Sequence, residues 1–168
     1  TLFPTVDWND PYKLTPEEEE MLRKVKHSFR VSDKLQKHIK CILAHGGMYN
    51  ICNGNLLFHA SVPLNEDGTL KEVELMGKKS SGRELMDRIG IIVRKAFNRD
   101  TPRKERIEAR DYLMYLWCGP ESPLFDKKRM ITFERYFCSE KSLVHEEKGA
   151  YFRLRNDSKV CDYILDSF

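Results

Sequence analysis

The chain changes from helical periodicity to short apolar runs around one stretch, Asn53-Gly54-Asn55-Leu56-Leu57-Phe58-His59-Ala60-Ser61-Val62. Its Asn-Gly pair is the preferred centre of a two-residue hairpin turn, because both turn positions must accept a positive φ. A shorter apolar run, Met48 to Cys52, precedes the pair, so the pattern predicts a β-hairpin. The run that follows, Asn55 to Val62, is largely unalternated, so we expect that strand to be covered on both faces.

Helical periodicity flanks the hairpin on both sides. Thr15-Pro16-Glu17-Glu18 predicts a helix start, because Thr15 and Glu18 can cap each other and Pro16 suits the first helical position. The apolar spacing predicts a helical segment at about 15–46, strands at about 48–75, a second helical segment at about 82–118 and a mixed region at 119–168. Together these elements predict an α+β fold, mostly helical with a small sheet or β-hairpin, in a single compact unit over residues 1–168.

Composition and charge argue against several classes of function. Of the 168 residues, 40% are hydrophobic and 33% are charged, as in soluble globular proteins. The net charge is only +3, from 29 Lys and Arg against 26 Asp and Glu, which predicts neither a nucleic-acid partner nor a membrane partner. No apolar run approaches the roughly 18 residues that a membrane-spanning helix requires.

The cysteines predict neither a disulfide framework nor a zinc site. They are odd in number, widely spaced and without a C-x-x-C pair. The five are Cys41, Cys52, Cys118, Cys138 and Cys161. Free thiols among apolar neighbours behave as small hydrophobic groups, so the pattern fits a reducing, cytoplasmic setting.

Both ends of the chain suggest a piece excised from a longer protein. The chain opens on Thr1, with no initiator methionine and no signal-peptide pattern. At the other end, Val160, Ile164 and Phe168 still follow a helical period, and no Gly or Pro stop signal follows them. We therefore expect a truncated chain, although a helix at a natural C-terminus has the same pattern.

His59 is the histidine whose surroundings point to a special role. The other four lie among charged neighbours and are expected at the surface: His27, His38, His45 and His145. His59 interrupts an apolar strand shortly before a turn, and a polar ring there must be hydrogen-bonded or coordinated if it is buried. The surrounding residues leave a structural role and a metal-binding role open, and they favour the structural one, since a lone histidine is weak evidence for metal.

Three adjacent cations, Lys127, Lys128 and Arg129, follow a proline-rich turn at residues 119–123. Such a triplet can meet a phosphorylated substrate, but a solvated charged loop is the simpler interpretation. The sequence holds no P-loop, G-x-G-x-x-G, G-x-S-x-G or H-E-x-x-H motif, and no aspartate-rich segment that could hold two metal ions. These residues by themselves therefore predict no catalytic activity and identify no catalytic residue.

Two blocks of the sequence resemble the class III fructose-1,6-bisphosphatases. The first runs from Asn53 to Gly68 and the second from Tyr115 to Phe137, and the similarity extends from about Ser28 to the C-terminus. The resemblance implies part of a calcineurin-like metallophosphoesterase fold, a helix-flanked β-sandwich that holds two metal ions, typically manganese. It also implies a cytoplasmic enzyme of gluconeogenesis that hydrolyses fructose 1,6-bisphosphate to fructose 6-phosphate and phosphate, and it is compatible with a homo-oligomer.

Carried over residue by residue, the resemblance implies that His59 is a metal ligand of the parent enzyme. It makes Arg129 the favoured contact to the substrate phosphate and Lys128 a weaker candidate. Asp126 stands where the pattern leads us to expect glycine, and Ala60-Ser61 replaces a commoner glycine-containing pair. The other ligand motifs lie outside this chain, so we expect the isolated chain to be inactive and to bind no metal tightly.

A non-catalytic interaction or regulatory module is the competing interpretation, and a soluble α+β domain of unknown role is a third. Self-association through the strand Asn55 to Val62 would indicate a core that lacks part of its cover. A well-covered strand beside a polar, fixed basic face would favour a module instead.

Overall fold

The structure is a computed structural model that describes residues 3–168. In chain order its elements are α1 Pro16–Val31, α2 Asp33–His45, β1 Tyr49–Cys52, β2 Asn55–Phe58, β3 Val73–Leu75, β4 Lys78–Ser80, α3 Gly82–Phe97, α4 Arg103–Cys118, α5 Glu134–Phe137, α6 Ala150–Leu154 and α7 Ser158–Asp166. The predicted α+β class is confirmed, with two small antiparallel hairpins among the helices. Within the described residues, no helix is both long enough and apolar enough to cross a membrane.

The chain divides into two compact units, Thr1–Gly46 and Gly47–Phe168. This differs from the predicted single unit over residues 1–168. The apolar spacing of α1 and α2 forms the expected helices, but neither helix buries a residue. On α1, for example, Met21 is 58% exposed and Phe29 is 62% exposed. Helical periodicity predicts an apolar face, but it does not identify which surface covers that face.

The N-terminal unit begins its first helix as the sequence predicts. The Glu18 backbone N–H donates to Thr15 Oγ1 at 3.3 Å, and the Thr15 N–H donates to Glu18 Oε2 at 2.8 Å. The second of these bonds is the main reason that the pKa of the Glu18 carboxyl lies below its ordinary value. The reciprocal cap satisfies two backbone donors that a helix start leaves without intrahelical partners.

The predicted hairpin at Asn53-Gly54 is confirmed. Strands β1 and β2 pair antiparallel from Tyr49 opposite Phe58 to Cys52 opposite Asn55. Both turn residues have positive φ, 51° at Asn53 and 74° at Gly54, as a type I′ turn requires.

The second strand of the hairpin was predicted too long. It ends at Phe58, and a bend at residues 59–60 leads into an irregular buried segment. The expectation of cover on both faces is also wrong, since Leu57 is 54% exposed. The apolar run Asn55 to Val62 reflects a half-covered strand followed by a buried loop, and hydrophobicity alone does not separate these two environments.

A second hairpin, formed by β3 and β4, turns at Met76-Gly77, where φ is 50° and 71°. Strand β4 was missed because its first two residues, Lys78 and Lys79, are charged and exposed. The hairpin leads directly into α3, which supplies the centre of the core.

Helix α3 joins two clusters of buried apolar side chains. One cluster lies between α3, α4 and β3 and consists of Leu75, Leu85, Ile89, Ile92, Ala96, Ala109 and Leu116. The other lies on the side of the segment that follows β2 and consists of Val62, Leu64, Met86, Ala150 and Ile164. The segment after His59 is therefore part of the core and does not form a free surface loop.

Candidate functional site

His59 is the first residue after β2 and its side chain is exposed. On one side the strand pairing holds the chain, with Phe58 opposite Tyr49. On the other side the Ser61 backbone N–H donates to the Pro123 carbonyl at 3.1 Å. The imidazole is therefore accessible at the end of a strand whose backbone is fixed both before and after it.

The segment after His59 is anchored by burial as well as by hydrogen bonds. Residues 61–64 are all buried. The Lys71 N–H donates to the Pro63 carbonyl at 2.9 Å, and Leu64 forms an isolated antiparallel bridge with Leu70. Because these contacts hold the backbone on both sides of His59, its side chain can point only in the directions that its rotamers allow from that position.

The described residues do not form a complete metal site. Across residues 3–168, no three or more His, Cys, Asp or Glu side chains are grouped as metal ligands. An exposed imidazole is a suitable ligand for a divalent transition metal, but a single imidazole falls short of the three or four protein ligands of a zinc site. This chain therefore offers His59 as a single donor, and the role of His59 as a ligand stays a prediction.

The basic triplet is engaged in contacts within the chain. Lys127 Nζ lies 2.6 Å from Glu146 Oε2, and Lys128 Nζ lies 2.6 Å from Glu147 Oε1. The second pair raises the pKa of Lys128 and lowers that of Glu147. A phosphate at Lys128 would have to replace the Glu147 carboxylate, which is an exposed and weakly held partner.

Arg129 uses its guanidinium to fasten a loop. Its Nε and Nη2 donate to the His145 carbonyl at 3.2 and 3.1 Å, and Nη2 also donates to the Ser142 carbonyl. The side chain therefore bridges two backbone positions sixteen and thirteen residues further along the chain. The exposed guanidinium keeps further N–H donors for an anion, so a structural and a binding role are compatible.

Asp126, directly before the triplet, is the most unusual side chain near these segments. It is 2% exposed, and its φ of 45° lies in the left-handed region that favours glycine. Its backbone N–H donates to the Ser122 carbonyl at 2.8 Å, and its own carbonyl accepts from the Gly149 N–H at 2.8 Å. This backbone conformation explains why a glycine is expected at this position. The chain has aspartate there instead, and the carboxyl group of that aspartate is buried.

Burial raises the pKa of the Asp126 carboxyl to about 6. The nearby Ser61 hydroxyl lowers it, Glu121 raises it and Lys71 lowers it. Lys71 is itself paired with Glu121, so it is not a dedicated partner of Asp126. Sequence reasoning noted Asp126 only as a departure from the pattern and gave Ser61 no role, because their burial depends on contacts between distant segments.

The raised pKa gives the folded chain a specific pH dependence. A carboxyl whose pKa is higher in the folded state stabilises the fold below its unfolded pKa of 3.8, and that stability is lost as the pH rises through about 6. Asp126→Asn is neutral at every pH and tolerates positive φ. One pKa unit corresponds to about 1.4 kcal/mol, and solvent screening reduces that value. We therefore expect the free energy of unfolding of wild type to fall by about 1–2 kcal/mol relative to the variant between about pH 4 and pH 7.

Urea unfolding of both proteins across that pH range measures this difference. A matched control is Asp67→Asn. Hydrogen bonds from the side chain and backbone of Thr69 lower the pKa of that exposed carboxyl. The stability of wild type relative to this variant should therefore rise with pH, opposite to the change expected for Asp126→Asn. Parallel stability curves for wild type and Asp126→Asn would show that the pKa of Asp126 is the same in the folded and unfolded states.

The structure brings the two predicted segments together through backbone and buried contacts. The bond from Ser61 to Pro123 and the proximity of Ser61 to Asp126 connect the His59 segment with the loop that precedes the triplet. Between the side chains themselves there is no such link, since no described hydrogen bond or ion pair joins His59 to Lys128 or Arg129.

Comparison with known proteins gives one consistent result. Residues 1–168 match the family described as Firmicute fructose-1,6-bisphosphatase. The chain is 52% identical over 168 residues to a fructose-1,6-bisphosphatase class 3 of Bacteroides fragilis and 51% identical to that of Bacteroides thetaiotaomicron, covering 100% of this chain and 25% of each relative. A relative from Listeria innocua with the same name is 48% identical, with 100% of this chain and 26% of the relative covered. No solved structure matches.

Proposed function

This chain belongs to the Firmicute fructose-1,6-bisphosphatase family, and on that basis we propose that it is a quarter-length portion of a fructose-1,6-bisphosphatase. The observation that carries the proposal is the match over all 168 residues, at 48–52% identity to relatives with that name. The chain spans about a quarter of the length of the curated relatives it matches. The complete enzyme would hydrolyse fructose 1,6-bisphosphate to fructose 6-phosphate and phosphate, a cytoplasmic step of gluconeogenesis.

Within that enzyme His59 would be one ligand of a manganese site. The exposed imidazole on a fixed backbone supports this role. Residues 3–168 hold no group of three or more candidate ligands, so in this proposal the other ligands would come from elsewhere in the enzyme. A bound divalent pair polarises phosphoryl oxygens and stabilises the charge that develops in the transition state. This chain would contribute the imidazole of His59, whose backbone is held by β2 and the buried segment 61–64.

Arg129 and Lys128 remain the proposed contacts to a substrate phosphate. Lys128 would exchange its exposed pairing with Glu147 for a dianionic phosphate, which offers a stronger charge partner. Arg129 would keep its bonds to the His145 carbonyl and use its remaining donors. Both side chains leave the same short segment, so one loop would present two cations to one anion.

A chimaera with a relative tests the proposed function. The segment of the Bacteroides fragilis relative that matches this chain is replaced by residues 1–168, and manganese-dependent release of phosphate from fructose 1,6-bisphosphate is measured. We expect activity in the chimaera and none in the isolated chain. A folded, metal-loaded chimaera with no activity, beside an active parent, would contradict the assignment.

An interaction or regulatory module is the second candidate, and exposed apolar side chains on α1 and on the hairpin favour it. Two observations separate the interpretations, and they disagree. The strand at Leu57 is poorly covered, which favours a portion of an enzyme. The cations at 127–129 are held by internal partners, which favours a module. Uncovered apolar surface is also what a portion of a larger protein exposes.

Replacement of Leu57 tests these alternatives. If the hairpin lacks cover from the rest of an enzyme, the isolated chain should form homo-oligomers at high concentration, and Leu57→Lys should shift it toward monomer, since a like-charged pair would face each other across the contact. Sedimentation velocity over a range of concentrations measures the shift. The control is Leu143→Lys, an exposed loop position away from the hairpin. A monomeric wild-type chain would favour the module.

A further inference from the structure

Two buried polar atoms lie without a hydrogen-bond partner at the junction behind His59. Ser61 is 0% exposed and Asp126 is 2% exposed. Neither Ser61 Oγ nor Asp126 Oδ2 has a partner of normal hydrogen-bond geometry. Buried polar atoms of this kind are uncommon, and each destabilises a fold unless it is satisfied.

The two side chains are neighbours in the fold. The Ser61 hydroxyl acts on the Asp126 carboxyl as a hydrogen-bonding group and lowers its pKa. Their segments are also joined by the bond from the Ser61 N–H to the Pro123 carbonyl. A bond between the two side chains would satisfy both buried atoms.

The loop that carries Asp126 is itself rigid. Ser122 is buried and its hydroxyl donates to the Leu116 carbonyl at the end of α4, at 2.7 Å. The Asp126 N–H closes the turn on the Ser122 carbonyl, and the Gly149 N–H holds the Asp126 carbonyl. The backbone that carries the carboxyl group is therefore held in a turn that is fixed to a core helix.

The charged and titratable groups that face Asp126 leave it without a dedicated cation. Glu121 and Lys71 act on it from the loop and from the segment before β3, and they are paired with each other. Burial raises the pKa of Tyr151 on α6, and the charge of Asp126 also raises it. Ser61 is thus the group best placed to form a hydrogen bond with the Asp126 carboxyl.

We propose that Asp126 is a positioning residue, whose carboxyl binds the Ser61 hydroxyl and thereby holds the segment that follows His59 against the loop that leads to Lys128 and Arg129. The contact would fix the direction of the His59 imidazole relative to the two cations. Its importance for catalysis rests on the proposed function, whereas the contact itself is a property of this chain.

Amide hydrogen exchange of the Ser61 N–H in the isolated chain tests the contact directly. We expect Asp126→Ala and Ser61→Ala each to speed exchange at this amide by about 10-fold or more, since either change frees the segment. The double variant should exchange no faster than the faster single variant, because both changes remove one interaction. Asp126→Asn keeps the hydrogen bond and should stay within about threefold of wild type.

The ring signal of His59 in a proton–carbon NMR spectrum gives a second readout. It should shift in Asp126→Ala and return in Asp126→Asn, while the signal of His27, on α1, stays unchanged. The amide of Ile89 in the core serves as the control for overall unfolding. If Asp126→Ala does not fold, the comparison of Ser61→Ala with Asp126→Asn carries the test.

Three results would overturn the positioning role: unchanged exchange at Ser61 in the alanine variants, effects that multiply in the double variant, or an Asp126→Asn variant that behaves like Asp126→Ala. An inactive chimaera would contradict the proposed function and leave these exchange rates unaffected. Failure of the contact and failure of the enzyme assignment are therefore distinguishable.

Discussion

Gly149→Ala is expected to lower the free energy of unfolding by about 2–3 kcal/mol, the upper part of the range for overpacking a buried site. A Cβ at this position would lie 2.6 Å from Asp126 Cγ and 2.9 Å from Asp126 Oδ2, closer than real Cβ contacts. Gly149 has an ordinary φ of −67°, so backbone strain adds nothing and the effect is purely steric. Thermal unfolding should show a drop in midpoint of roughly 5–10 °C for a chain of this length.

The second substitution Asp126→Gly should restore most of that loss. It removes the atoms that a Cβ at residue 149 would meet, and it places glycine at a backbone with φ of 45°. Gly90→Ala is the matched control, because it adds a methyl group inside α3 where the nearest contact is the flexible end of Arg94. Equal destabilisation by Gly149→Ala with and without Asp126 would show that the carboxyl does not fill this space.

His59→Ala in the chimaera is expected to lower manganese-dependent turnover at least about 100-fold, the upper end of what loss of an outer-shell partner costs, because here a direct ligand is removed. The side chain is exposed, so the variant should fold with unchanged stability. Initial rates at saturating manganese and fructose 1,6-bisphosphate measure the effect.

The control for this variant is His27→Ala, which removes another exposed imidazole from the chain. Turnover should remain at the wild-type level in that control. A His59→Ala chimaera that keeps most of its activity at saturating manganese would remove His59 from the metal site.

Local signals in the sequence predicted the parts of the fold that depend on neighbouring residues. The Asn53-Gly54 turn and the cap between Thr15 and Glu18 both form as expected, because each needs only a few consecutive residues. The predicted length of β2 and the predicted cover of Leu57 were wrong, since both depend on segments far away in the chain. The division at Gly46 was missed for the same reason.

The candidate site shows the same boundary between local and long-range information. His59 stands out in the sequence as a polar residue within an apolar run, and the structure places it at the end of a strand. The buried pair of Ser61 and Asp126 gives no such signal, because the two residues lie in segments that are far apart in the chain. The family resemblance makes Arg129 the favoured phosphate contact, which stays a prediction, whereas its bonds to the carbonyls of Ser142 and His145 follow from the path of a distant loop.

The number of manganese ions bound per molecule tests most directly whether His59 belongs to a metal site completed by residues outside this chain. Metal content is measured after gel filtration for the chimaera, for its His59→Ala variant and for the isolated chain. We expect two ions in the chimaera, as in two-metal phosphoesterases, weakened binding in the variant and no tight binding by the isolated chain. Micromolar affinity of the isolated chain for manganese that survives His59→Ala would contradict this placement of the site.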